Sequence, residues 1–218
     1  MYLEKNIAHF RNSNQAISEL EIADWNNLSA NDLISIASKL NCSIDRLVNL
    51  DLASDTMEIA KSIKLLILDV DGVMTDGGMY FTENGDQFKK YNTKDGMAII
   101  HLTRNNFQVG IISSGFKGEA VRQRAEMLGI QNFYLGRGKK MEVLVEWCSK
   151  MNISLSEVAM IGDDVNDLPV LKEIGLAVCP KNAVQKVQDV CHIILESNGG
   201  DACVREFVDT YLPFNVEY

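Results

Sequence analysis

No stretch of this 218-residue sequence comes near the run of roughly 20 apolar residues that a membrane-crossing helix needs. The opening MYLEKNIAHFRNSN also lacks the apolar core of a secretory signal, so a cytoplasmic protein free of the membrane is the expectation. Positive charge is scarce: 21 Lys and Arg against 30 Asp and Glu give a net charge of −9. That balance argues against a nucleic-acid-binding surface spread over the molecule, which needs clustered cations to displace counterions. A small anionic ligand would need only a local basic pocket. The five cysteines, Cys42, Cys148, Cys179, Cys191 and Cys203, are odd in number and lack the close spacing of a zinc or redox motif. Reduced thiols inside apolar segments are expected. Residues 1–61 contain neither glycine nor proline, which sets them apart from the rest.

What is present begins with enough apolar residues, 46%, to fill one ordinary core plus a small appendage. Residues 1–61 are polar and helical in period, as in SANDLISIASKLNCSIDRLVNLDL, and read as a separate helical module. Residues 62–218 alternate strand-like runs with helical segments, the pattern of an α/β parallel sheet covered on both faces. The strand candidates are IKLLILDV, FQVGIIS, NFYL, EVAMIG, LAVC and HIIL. The helix candidates are DGMAIIHLTRNN, GEAVRQRAEMLG, KKMEVLVEWCSKMN, NDLPVLKEIG and NAVQKV. GMYFTENGDQFKKYN interrupts the rhythm with two short aromatic-rich strands around an Asn-Gly turn, a β-hairpin. Such a ribbon is marginal alone, so Tyr80, Phe81, Phe88 and Tyr91 call for a partner surface.

Ligands of open α/β sheets bind beyond the carboxyl ends of the strands, and pooling those ends collects one constellation. The first strand ends in Asp69, Val70 and Asp71; the second in Ser113, Ser114 and Gly115. The loop after the third holds Arg137, Lys139 and Lys140; the fourth ends in Asp163 and Asp164, with Asp167 following. Carboxylates crowded in this way stay ionised together when a cation is bound, and hard oxygen ligands favour Mg²⁺. The histidines, His9, His101 and His192, stand away from these ends and read as solvated or core residues. Trp25, Trp147, Phe133 and Tyr134 read as core or interface filler. A carboxylate beside Mg²⁺ can attack phosphorus, and a second one two residues on faces the same way and can move protons. Asp76 and Asp95 are equally well read as turn formers or helix caps.

DVDGVMTDG, the strand-ending Ser113, the lysine of GRGKKM and GDDVND together resemble the four ordered motifs of the haloacid dehalogenase superfamily of phosphatases. The resemblance implies a Rossmann-like doubly wound sheet, with Asp69 as nucleophile, Asp71 as general acid/base, Ser113 as phosphate ligand and Lys140 as the third-motif lysine, Lys139 being its rival. It further implies Mg²⁺ held by Asp69, the Asp71 carbonyl and Asp163, with Asp164 and Asp167 in support. Short gaps between motifs, the hairpin and NGGDACVREFV resemble the capless branch acting on 3-deoxy-D-manno-octulosonate 8-phosphate or the nonulosonate 9-phosphates of sialic acid type. That branch implies a homotetramer whose neighbouring subunit closes each site, and places Gly78, Lys94, Ser114, Gly115 and Arg205, with the Gly199-Gly200 segment, near the sugar acid. Ser113-Ser114-Gly115 departs from the Thr-Gly-Arg usual in the octulosonate enzymes, which leaves open which sugar acid is bound. The N-terminal module faintly resembles a truncated Xre-type helix-turn-helix domain. The two helices that would cross and enter the major groove are almost absent, and five basic against nine acidic residues give no electrostatic footprint for DNA. Packing or assembly is therefore the expected role, with a phosphosugar-sensing regulator as the alternative. A receiver domain also phosphorylates an aspartate, but at the end of its third strand.

Overall fold

The computed structural model describes residues 2–40, 42–52, 56–84, 87–115 and 118–212, which fall into two compact units, 1–55 and 56–218. The division lies six residues before the change in composition at 61. The helix Thr56–Ser62 supplies Ala60, and the residue after it is Ile63; both join Leu66 and Leu68 in the core of the second unit.

In the first unit, helices Leu3–Ser13, Gln15–Ser18, Ala30–Lys39 and Ile44–Asn49 enclose Ile7, Ile17, Ile36 and Leu47. Side-chain caps start three of them: Asn14, Ser29 in a reciprocal box with Asp32, and Ser43. Buried Asn6 donates to the Leu47 and Leu50 carbonyls at 2.9 and 2.7 Å and accepts from the Leu52 amide at 2.9 Å. Trp25 packs on this core beneath the Arg11 guanidinium, 4.9 Å from the ring centre.

The second unit is built on β1 (Leu65–Leu68), the hairpin strands β2 (Tyr80–Phe81) and β3 (Gln87–Phe88), β4 (Gln108–Ser113), β5 (Asn132–Leu135), β6 (Val158–Ile161), β7 (Leu176–Cys179) and β8 (Ile193–Ile194). All strands but the hairpin form one parallel sheet in the order β5-β4-β1-β6-β7-β8. The chain moves outward one way from β1 through β4 to β5, then returns past it to β6 and moves outward the other way. The crevice at that reversal is where a doubly wound sheet binds its ligand. Leu65 to Leu68 are buried on both faces, Leu66 and Leu68 in one layer and Leu65 and Ile67 in the other, which explains an apolar run without alternation. Trp147, Phe133 and Tyr134 pack against these layers.

Helices Thr93–Arg104, Glu119–Met127 and Lys140–Met151 occupy the expected crossovers. NDLPVLKEIG and NAVQKV shorten to single turns at Leu168–Leu171 and Gln185–Gln188. The helix Cys203–Tyr211, not marked from the sequence, buries Val204, Phe207 and Val208. β2 and β3 pair Tyr80 with Phe88 and Phe81 with Gln87; the glycine of the Asn-Gly turn lies outside the described residues. All five cysteines are free, and no helix among the described residues is long and apolar enough to cross a membrane. His192 accepts a hydrogen bond from the Ala177 amide at 3.0 Å, away from the crevice.

Asp95 is a cap, but for a helix more than a hundred residues away. Its Oδ1 accepts from the Arg205 amide at 2.8 Å at the start of Cys203–Tyr211. Burial pushes its carboxyl up to about 6, against the pull of the Arg205, Val204 and Ala202 amides. The native state therefore takes up a proton that the unfolded chain, with an ordinary carboxyl near 3.8, does not. Its contribution to stability should decline as pH rises from about 4 to about 6. Denaturant titrations of the wild type and Asp95→Asn should show the wild-type advantage shrinking across that window, whereas a constant difference would refute the shifted carboxyl. Asp95→Ala should cost about 1 kcal/mol through loss of the cap.

Candidate active site

Two carboxylates end β1 because the strand stops there and the chain turns sharply. The Asp69 amide still bonds to Ile161 of β6 at 3.1 Å, and its own Oδ1 accepts from the Val70 amide at 2.8 Å. One wide turn follows, closed by the Thr75 amide on the Val70 carbonyl at 3.0 Å. Gly72 makes it possible, with φ +84° and a position where a Cβ would overlap the Asp163 carboxylate.

Lys140 begins its helix and points inward, 3% exposed, with Nζ 3.0 Å from Asp69 Oδ2 and 2.6 Å from Asp167 Oδ1. Its rival Lys139 is exposed and pairs with Glu142. Asp167 Oδ2 accepts from the Asp163 amide at 3.1 Å, so both of its oxygens are engaged in holding the loop after β6. Asp163 is different: its Oδ1 is buried and has no hydrogen-bond partner among the described residues. Carboxylate oxygens of Asp69, Asp163 and Asp167 lie within 4.8 Å of one another.

The electrostatics follow from three carboxylates facing one ammonium. Burial and Asp167 push Asp69 up to about 6 although Lys140 opposes them. Burial, then Asp69, Asp167 and Asp164, push Asp163 up to about 7. Burial would lower the Lys140 ammonium, yet Asp69 and Asp167 hold it above its ordinary value. Three carboxylates against one ammonium and the orphaned Asp163 oxygen fit a hard divalent cation, which Asp69 and Asp163 would hold.

Above these residues opens a cavity of about 370 Å³, lined by Asp69, Asp71, Ser113, Ser114, Gly115, Asp163 and Asp164. Lys89, Asn166, Gly77 and Met79 line it too and were not singled out from the sequence. Asn166 reaches the Ser114 hydroxyl at 3.4 Å. Lys89, on the exit arm of the hairpin, pairs with Asp71 Oδ1. Period-two alternation carried past Phe88 was the available signal, since it puts Lys89 on the inward face with Tyr91. Gly78, Lys94 and Arg205 do not line the cavity of this single chain: Gly78 and Lys94 are exposed, and the Arg205 guanidinium pairs with Asp209 at 2.5 Å. Asp76 is a turn former, accepting from the Gly78 amide at 3.0 Å.

Residues 130–207 match the family model of haloacid dehalogenase-like hydrolases. Over 160 residues, 73% of this chain, the sequence is 36% identical to the 3-deoxy-D-manno-octulosonate 8-phosphate phosphatase KdsC of Yersinia pestis, covering 85% of that protein. This chain belongs to the haloacid dehalogenase-like hydrolases. The crystal structure of the Yersinia pestis phosphatase superposes with a TM-score of 0.69 at 35% identity, covering 72% of this chain and 84% of that one. The 3-deoxy-D-manno-octulosonate 8-phosphate phosphatase of Moraxella catarrhalis, a complex with magnesium ion, phosphate ion and KDO, superposes at 0.68 with 32% identity, covering 71% and 88%. The family and its fold make the protein a phosphoric monoester hydrolase.

Gly72→Ala should abolish phosphatase turnover, because the added Cβ would displace Asp163 or distort the turn carrying Asp71. Circular dichroism should show the fold retained. Full activity would mean that the turn yields without disturbing either carboxylate.

Proposed function

We propose that this hydrolase removes phosphate from a 2-keto-3-deoxy sugar acid phosphate, 3-deoxy-D-manno-octulosonate 8-phosphate first and a nonulosonate 9-phosphate second, through an aspartyl-phosphate and with Mg²⁺. The observation that carries the reaction is the Asp69 carboxylate, buried at the floor of the cavity against Lys140 with Asp71 two residues on. The relatives' own substrates support the sugar acid.

An Asp69 oxygen attacks phosphorus, the bond from phosphorus to the sugar oxygen breaks, and Asp71 gives that oxygen its proton. Water then attacks the phosphorus of the aspartyl-phosphate, Asp71 takes the water's proton, and inorganic phosphate leaves. Ser113, 3% exposed at the end of β4, donates its hydroxyl to a phosphate oxygen. Lys140 keeps Asp69 ionised and oriented for attack. Asp69 and Asp163 would hold Mg²⁺, which when bound neutralises carboxylate and phosphate charge together.

The cavity is open on its own, and beside it Met79, Tyr80, Phe81 and Phe88 stand 71%, 49%, 56% and 60% exposed. Tyr91 instead packs on the main core. An exposed apolar patch of this kind marks an interaction site. A homotetramer in which this hairpin meets a neighbouring chain would both bury it and cover the rim.

Asp69→Asn should abolish turnover and leave no phosphoenzyme in rapid-quench labelling, while Asp71→Asn should trap one from an ester with a good leaving group; label on the Asp69→Asn protein would sink the assignment. Chelation should stop turnover and Mg²⁺ restore it. Phe81→Asp combined with Phe88→Asp should disperse the oligomer in light scattering and lower activity on the octulosonate ester. A fully active monomer would overturn the assembly.

A further inference from the structure

The mechanism leaves one cavity cation without a task. Lys140 is buried against Asp69 and Asp167 and does not line the cavity, so Lys89 is the one cation among the described residues that line it. Its side chain is 16% exposed and its ammonium lies on Asp71 Oδ1. Asp71 itself is 46% exposed at the side chain, so little packing confines it. Its other contact is the Thr75 hydroxyl at 3.4 Å, also on Oδ1. That hydroxyl is shared with the Val70 carbonyl at 3.2 Å and is a weak tether.

We propose that Lys89 is the positioning residue for proton transfer: it holds Asp71 by Oδ1 and leaves Oδ2 to carry the proton to the leaving oxygen and to collect it from water. This rests on the phosphatase reading above. Local chain geometry supports it, because Lys89 follows β3 directly and Tyr91, two residues on, is anchored on the core and bridged to Thr75. The arm from 88 to 91 is thus pinned beside the turn that bears Asp71. An ammonium on a half-exposed carboxylate is worth little to stability, but it narrows the orientations of a group whose reach decides the rate.

The test is a leaving-group series on the full chain: p-nitrophenyl phosphate, phenyl phosphate, glycerol 3-phosphate and 3-deoxy-D-manno-octulosonate 8-phosphate, with kcat/KM reporting phosphoenzyme formation. A good leaving group departs without a proton, whereas an alkoxide needs one. Lys89→Met should keep kcat/KM on p-nitrophenyl phosphate within about threefold and lose about a hundredfold on both alkyl esters. p-Nitrophenyl phosphate should then show a phosphoenzyme burst, as water activation becomes limiting. Lys89→Arg should recover part of the loss, and Lys89→Gln serves if the Met variant does not fold. An equal loss on every ester would overturn the proposal, since Lys89 would then bind the phosphate or support the fold. So would a loss confined to the octulosonate ester, which would make Lys89 a reader of the sugar carboxylate. Should the wild type turn over neither alkyl ester, the sugar acid reading fails by itself, and the slope between the two aryl esters still decides the role of Lys89.

Discussion

The ion triad of Lys140 with Asp69 and Asp167 is the contact on which the rest of the site depends. One ammonium, 3% exposed, reaches both carboxylates and so ties the end of β1 to the loop after β6, on the two sides of the topological reversal. Asp167 passes the restraint on, accepting the Asp163 amide and so setting where the orphaned Asp163 oxygen lies. Burying three ions costs desolvation that their attraction barely offsets, so this triad is a poor device for stability alone. What it gives is an Asp69 carboxylate fixed in direction, drawn towards its ionised form by Lys140 although burial pulls it up to about 6, in a setting whose excess of negative charge a divalent cation would offset.

Much of this was legible because strand ends in a parallel sheet are marked twice in sequence. A doubly buried strand needs an unbroken apolar run, and the run ends where polar residues begin, so Asp69, Ser113 and Asp163 could be pooled without a structure. The lysine was harder. Lys139 and Lys140 are adjacent at a helix start, and only the helix phase turns Lys140 inward. Asp95 resisted reading because its partner amides at Arg205 and Val204 are remote in sequence, and a cap is readable only when it is local. Lys89 lay hidden in a Lys-Lys pair whose members face opposite ways, one to Asp71 and one to Asp76.

The glycines of the late loop show how the turn after Asp69 is supported. A Cβ on Gly199 would overlap the Gly72 carbonyl, and one on Gly200 the Asp76 amide, so this loop lies directly against residues 72–76. The Gly200 amide bonds to the Val73 carbonyl at 2.8 Å, and Cys203 donates its thiol to the same carbonyl at 3.3 Å. The family resemblance puts this segment near the sugar acid; in the single chain its contacts are with the backbone that carries Asp71.

The turn is thus held by two separate segments. The late loop packs on the backbone of the turn, the exit arm of the hairpin holds Asp71 through Lys89, and Gly72 leaves room for the Asp163 carboxylate. On the mechanism proposed above, Asp71 serves as acid and then as base within one cycle, and its reach at both steps depends on a constant position. The hairpin whose exit arm holds Asp71 is also the element with the exposed aromatics, and Phe88 adjoins Lys89 in the chain. Any surface that covers Phe88 would therefore stiffen the arm holding Asp71. In a capless fold, assembly would then complete the site in two ways, by excluding water from the rim and by fixing the proton carrier from the same contact.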